Sequence, residues 1–212
     1  YIDALIKLDR LPDAKAIFHQ AKQKGAKGDG FDSLEKRLKD LEVSETTVSQ
    51  NQDPSQDQLQ PLVSLYSQGQ LQKVLLEASQ LLQKFPNSAI LFNIVGASNN
   101  GLGQLDAAIE AYNKAIAIKP NYADAFNNMG ITLKEHGKLE EAVEAYNKAL
   151  AIKPGYKTYS NMGVALNEQG KLEEAIEAYH KALTIKPDFA GAYSNMGIAL
   201  NEQGKLEEAI EA

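Results

Sequence analysis

The sequence predicts an all-α solenoid built from stacked antiparallel helix pairs, and three observations predict it. Prolines recur on one spacing: Pro86, Pro120, Pro154 and Pro187 are separated by 34, 34 and 33 residues. Glycines keep that period in two further series. Gly96, Gly130, Gly163 and Gly197 step by 34, 33 and 34, and Gly69, Gly103, Gly137, Gly170 and Gly204 step by 34, 34, 33 and 34. Between these markers the apolar residues return at i, i+3, i+4 and i+7, the stripe of an amphipathic helix. Markers that share one period are the signature of a repeat whose units cannot bury their apolar faces alone, so that neighbours must stack.

The unit is clearest from Ala123 to Tyr156, numbered here 1 to 34. Phe126, Met129, Gly130 and Leu133 make the first stripe, and a break follows at His136-Gly137-Lys138. Leu139, Ala142, Val143, Tyr146, Ala149 and Leu150 make the second stripe. Pro154 closes the unit, because proline cannot continue a helix and biases the residue before it away from helical geometry. Gly130 and Ala142 are small where two helices must approach closely, and Tyr146 is expected to fill the space between neighbouring hairpins. Gly137 falls where the first helix ends and a left-handed conformation is needed. Glu140 and Glu141 open the second helix, where the macrodipole favours negative charge. Glu144 with Lys148, and Glu177 with Lys181, have the i,i+4 spacing of a helix-surface ion pair.

These residues resemble the tetratricopeptide repeat, whose pattern has a large apolar residue at 4, a Leu-Gly-like pair at 7 and 8, Ala at 20, an aromatic at 24, Ala at 27 and Pro at 32. Here the pattern reads Phe126, Met129-Gly130, Ala142, Tyr146, Ala149 and Pro154; then Tyr159, Met162-Gly163, Ala175, Tyr179, Ala182 and Pro187; then Tyr193, Met196-Gly197 and Ala209. The unit at Ala89 gives Phe92, Gly96, Ala108, Tyr112, Ala115 and Pro120, with Asn99 where an apolar residue is usual. The resemblance covers residues 89–212. It implies a tetratricopeptide-repeat α-solenoid, a right-handed superhelix of antiparallel helix pairs, like bacterial arrays of this repeat.

The repeats 89–122, 123–156 and 157–189 are therefore followed by a truncated one at 190–212. Upstream, residues 58–88 keep the hairpin outline through Leu62, Leu65, Gly69, Leu71, Ala78, Leu81 and Pro86 but lack the small residue at position 8. They read as a divergent first repeat, as terminal units often are. Residues 43–57, VSETTVSQNQDPSQD, are polar and aperiodic and read as a linker. In residues 1–42, Ile2, Leu5, Leu11, Ala14, Phe18 and Ala21 match positions 8, 11, 17, 20, 24 and 27. A turn at Gly25–Gly30 and a helix carrying Phe31, Leu34, Leu38 and Leu41 complete the last hairpin and capping helix of an upstream array. Both ends of the chain fall within a unit, so a longer protein is expected. One turn is irregular: Pro154 to Tyr159 is one residue shorter than Pro120 to Phe126, so the turn in KPGYKTY is expected to tighten or the superhelix angle to change there.

Composition narrows the function. The net charge of −6 argues against nucleic acid, which requires a basic face. No stretch approaches the roughly 20 apolar residues of a membrane span. The absence of cysteine removes disulfides, thiolate metal sites and a cysteine nucleophile, and fits a reducing, cytoplasmic location. His19, His136 and His180 lie in different units without a partner at ligand spacing, so no metal or other cofactor is expected. The pairs Glu140-Glu141, Glu173-Glu174 and Glu207-Glu208 recur at one helix start, which reads as a dipole-matched surface rather than acid/base machinery. GASNNGLG (residues 96–103) is glycine-rich but follows a helix, whereas a phosphate loop follows a strand. The chain is read as non-catalytic.

Binding is the remaining role. If positions 4, 7, 8 and 11 point into the packing, then 2, 5, 6, 9, 12 and 13 of each first helix face a groove. Position 6 is Asn128, Asn161 and Asn195 in three consecutive units; position 12 adds Asn167 and Asn201, and position 5 adds Asn127. An amide both donates and accepts, so a row of them can grip a peptide backbone whatever its side chains. A similar asparagine row lines the repeat superhelix of O-linked N-acetylglucosamine transferases, and the resemblance is carried by Asn128, Asn161 and Asn195. Asn93 and Ile94 stand at 5 and 6 of the preceding unit, where the row is expected to stop. Lys134 is the only basic residue at position 12, and Glu135, Glu168 and Glu202 recur at 13, which disfavours a strongly acidic ligand. The leading reading is thus a scaffold holding an extended peptide or partner protein in its groove. The alternative is the substrate-recruiting region of a larger enzyme such as a glycosyltransferase or sulfotransferase. Self-association through an uncapped C-terminal repeat is a third possibility, since two units share YSNMG-[VI]-ALNEQGKLEEAIEA.

Overall fold

The structure, a computed structural model, describes residues 2, 11–28, 30–39 and 53–205, with the side chains of residues 11 and 12 excepted. The expectations for residues 3–10, 40–52 and 206–212 lie outside the described residues. The chain divides into two compact units, Tyr1–Gln52 and Asp53–Ala212.

In the first unit, α1 (Leu11–Gln23) and α2 (residues 30–39) form a hairpin. Ala14, Phe18 and Leu38 are its buried core, with Ile17, Phe31 and Leu34 packed against them. Phe18 stacks on Phe31 with ring centroids 4.2 Å apart, and Lys22 meets Glu35 at 2.7 Å across the same contact. Gly25 ends α1 at φ +84, allowing Ala26 N–H to reach back to the Ala21 carbonyl.

The second unit is a run of helices of nearly constant length: α3 (Gln56–Ser67), α4 (Leu71–Lys84), α5 (Ala89–Gly101), α6 (Leu105–Ile118), α7 (Ala123–Glu135), α8 (Leu139–Ile152), α9 (Tyr156–Glu168), α10 (Leu172–Ile185) and α11 (Ala190–Glu202). Two helices of one hairpin pack on each other, and each second helix packs on the first helix of the next hairpin. The first helices α5, α7, α9 and α11 also touch in succession, which sets their outer faces side by side.

Helix α3 starts inside the stretch expected to be a linker. The reason is a local signal in the polar run: Ser55 accepts from Gln58 N–H at 3.4 Å, while the Gln58 side chain accepts from Ser55 N–H at 3.0 Å, a capping box. Asp53 also accepts a hydrogen bond from the buried hydroxyl of Ser88, which itself caps α5.

Within each hairpin the first helix ends in a left-handed glycine. At Gly137 (φ +77), Gly137 N–H donates to the Lys134 carbonyl at 2.9 Å and Lys138 N–H to the Leu133 carbonyl at 2.8 Å, closing the helix on its own orphan carbonyls. The larger packing device is a glycine against a tyrosine. Tyr112, Tyr146 and Tyr179 are buried, and a Cβ added to Gly96, Gly130 or Gly163 would lie 2.5–2.6 Å from the ring of the respective tyrosine. Tyr146 therefore seats on Gly130 within its own hairpin, and it also shares a core cluster with Ala165 and Met162 of the next hairpin.

The shortened turn is absorbed between helices. Residues 153–155 join α8 to α9, whereas residues 119–122 and 186–189 join the corresponding pairs, and the helices keep their lengths. Gly155 takes the N-cap position, which Tyr122 and Phe189 occupy in the longer turns. Tyr156 shifts into the first turn of α9 and packs edge-on against Phe189.

Candidate groove of the second unit

The amide face of the first helices is more connected than the sequence indicates. Asn161 Nδ2 donates to Asn127 Oδ1 at 3.4 Å, Asn127 Nδ2 to Asn128 Oδ1 at 3.5 Å, and Asn128 Nδ2 to Asn93 Oδ1 at 3.1 Å. Four side-chain amides from α5, α7 and α9 thus form one string, all half-buried. Position 5 of one unit accepts from position 6 of the next. The position-6 row ends at Ile94, and Asn93 joins the hydrogen-bonded string from position 5 instead. Asn195 is half-buried at position 6 of α11.

Position 12 behaves differently from unit to unit. Asn100 accepts from the buried Thr132 hydroxyl at 2.8 Å, and the Tyr112 phenol lies beside Thr132. Lys134 pairs with Glu168 of the next unit at 3.5 Å, so the one cation of the row is already partnered by a carboxylate. The side-chain oxygen of Asn167 is buried without a partner, and Asn201 is exposed. Beneath this face, burial pushes the phenols of Tyr112, Tyr146 and Tyr179 well above the ordinary tyrosine range. Only Tyr112 has Thr132 beside it. The Tyr146 hydroxyl is buried without a hydrogen-bond partner, because the residue corresponding to Thr132 in the next unit is Ala165.

At the start of the string the face hollows into a cavity of about 280 Å³. Leu62, Val63 and Tyr66 of α3 and Ile94 and Ala97 of α5 line it, with Asn93 and Asn128 as its polar wall. Of these residues the sequence pattern singles out only Asn128 as a contact. The signal for the others was a departure from pattern: Tyr66 and Ile94 are apolar at positions 12 and 6, where later units carry amides or lysine.

The expected surface ion pairs form, with Lys148–Glu144 and Lys181–Glu177 both at 2.7 Å. His136 Nε2 lies 3.1 Å from Asp106 of the preceding hairpin. Among the described residues, no group of three or more His, Asp or Glu gathers at metal-binding distance, and no helix is long and apolar enough to cross a membrane.

Comparison with known proteins agrees with this architecture. One family model, described as TPR repeat, matches residues 101–137 and 163–204, and another, described as tetratricopeptide repeat, matches residues 123–156. Among solved structures the chain is similar to MamA, at 25% identity over 70% of this chain and 87% of that one, with a TM-score of 0.64. It is also similar to a MamA fragment from Desulfovibrio magneticus RS-1 that runs from residue 41 to the end, at 19% identity over 73% and 88% of the two chains, with a TM-score of 0.66. YrrB, described as a TPR protein with an unusual peptide-binding site, matches at 18% identity over 79% and 87% of the chains, with a TM-score of 0.60. No curated protein matches the chain. The period, the glycine–tyrosine packing and the family matches agree: the chain carries tetratricopeptide repeats.

Proposed function

We propose that the chain is a non-catalytic scaffold that binds an extended peptide, or an extended segment of a partner protein, along the face formed by α5, α7, α9 and α11. The observation that carries this reading is the amide string from Asn161 through Asn127 and Asn128 to Asn93. An asparagine amide has two N–H donors and two acceptor lone pairs. Asn127 and Asn128 each commit one donor and one lone pair to their neighbours, which holds the amides in place and leaves hydrogen-bonding capacity for a ligand. An extended backbone presents donors and acceptors at every residue, so it suits such a row without a demand on sequence. Asn195, Asn167 and Asn201 extend the polar face toward the C-terminal end. With Lys134 tied to Glu168, an uncharged or basic segment fits this face better than an acidic one.

A random 12-residue peptide library displayed on phage tests the reading. Selected peptides are measured by fluorescence anisotropy against the wild-type chain and against a variant carrying Asn127→Ala, Asn128→Ala and Asn161→Ala. At about 1 kcal/mol for each of the three amides, a loss of affinity of about 100-fold is expected. Undiminished binding by the triple variant, with its helix content intact by circular dichroism, would reduce the string to a packing feature.

A further inference from the structure

The cavity at the start of the amide string is lined by residues unlike those at the same positions of the later units, and the difference is set by two side chains. Position 12 runs Tyr66, Asn100, Lys134, Asn167 and Asn201, and position 6 runs Ile94, Asn128, Asn161 and Asn195. Where α3 meets α5, the face therefore replaces an amide-and-lysine pattern with an aromatic ring and a branched aliphatic. Val63 and Ala97, both at position 9, complete the apolar wall. None of the residues lining the cavity is charged, and its polar groups are the amides of Asn93 and Asn128 and the hydroxyl of Tyr66.

Resting on the peptide-binding reading, we propose that this cavity is the specificity site of the groove and takes one bulky uncharged apolar side chain, of the leucine, methionine or phenylalanine class, from the bound segment. Three properties support that occupant. At about 280 Å³ the cavity is at the lower limit of small-molecule sites, which run from about 300 to 1,000 Å³, and suits a side chain rather than a cofactor. An uncharged lining gives a charged side chain nothing to repay its desolvation. Val63 and Tyr66 are 54% and 44% exposed, so apolar surface lies open for an incoming group to cover. Asn93 and Asn128 stand beside it to hold the backbone on either side of the anchor. The divergent first repeat then differs in role from the rest. It chooses the ligand, while the near-identical repeats after it grip whatever backbone follows.

The test uses the full chain and the same phage library. Enriched peptides are expected to share one large apolar residue at a fixed place. Ile94→Asn and Tyr66→Asn, which restore the residue of the later units, are expected to weaken those peptides by about tenfold or more. Val63→Asn, at an exposed position with little bearing on folding, is expected to do the same to a smaller degree. Peptides with the anchor changed to Ala are expected to bind wild type and Ile94→Asn equally. Enriched peptides without a common apolar residue, or pocket variants that bind like wild type, overturn the proposal. Loss with the asparagine variant alone overturns the pocket and keeps the groove, while loss with the pocket variants alone supports the pocket and removes the amide row. If Ile94→Asn instead raises peptide affinity, or shifts the chain to a smaller species in sedimentation, the cavity is filled by another part of this chain or by a second copy, and the proposal fails.

Discussion

The first hairpin of the second unit, α3–α4, and the hairpins that follow it fill the same space between two helices in opposite ways. From α5–α6 onward the bulk sits on the second helix: Tyr112, Tyr146 and Tyr179 each reach across to a glycine on the first. In α3–α4 the positions are exchanged. Leu62 stands where the glycine would be and Ala78 where the tyrosine would be, and both are fully buried in one cluster with Val74 and Leu91. Volume has moved from one helix to the other while the close packing is kept. Cores tolerate changes that conserve volume far better than changes that add or remove it. The lesson is that the repeat specifies a sum of two side chains, so a unit that breaks the pattern at position 8 keeps it when position 24 is read with it.

That exchange can be broken deliberately, with the largest effect coming first. Ala78→Tyr adds a ring opposite Leu62 in a filled core and is expected to cost about 3 kcal/mol or more. Adding Leu62→Gly to it recreates the later pairing and is expected to recover most of the loss. A double variant no more stable than Ala78→Tyr alone, by midpoint of urea denaturation, would mean the two hairpins are not related by this exchange.

In the later hairpins a smaller change suffices. Gly130→Ala places a methyl group 2.6 Å from the buried ring of Tyr146 and is expected to cost about 1–3 kcal/mol, despite alanine's better helix propensity. The same substitution at Gly137 strains a left-handed turn without meeting any neighbour, so the two variants separate crowding from backbone strain.

The smallest effect separates two hairpins that look alike. Tyr112→Phe removes the phenol beside Thr132 and is expected to cost about 1 kcal/mol. Tyr146→Phe removes a buried hydroxyl that has no partner and is expected to be neutral or stabilising. Equal losses at the two sites, again from denaturation midpoints, would show that Tyr146 finds a partner after all.

Legibility in the sequence follows the same division. The helix pairs from residue 89 onward were readable because period, proline and glycine all mark the same boundaries. The position of Gly137 implied its left-handed turn, and the missing residue near Gly155 implied a tightened loop, which the helix ends show. The start of α3 was obscured because its only signal was the Ser55–Gln58 capping box inside a polar run. At the groove, the position-6 asparagines stood out because they repeat. Asn93 and the apolar cavity did not, because each depends on a contact between units at unlike positions. Asn128 bonding to Asn93 joins position 6 to position 5, and Leu62, Ile94 and Asn128 meet from three helices. A motif scan within one unit cannot register such a contact.

The turn at Gly155 has a consequence for rearrangement. Because the missing residue is taken up wholly in the connection, α9 and α11 offer the same interior groups to what precedes them: Met162 and Ala165 in one, Met196 and Ala199 in the other. Joining Gly155 directly to Ala190 would excise one hairpin and present α8 with an almost identical partner. The array is thus a cassette system in which length is adjustable in hairpin-sized steps, and the reach of its amide face can change while its packing rules stay fixed.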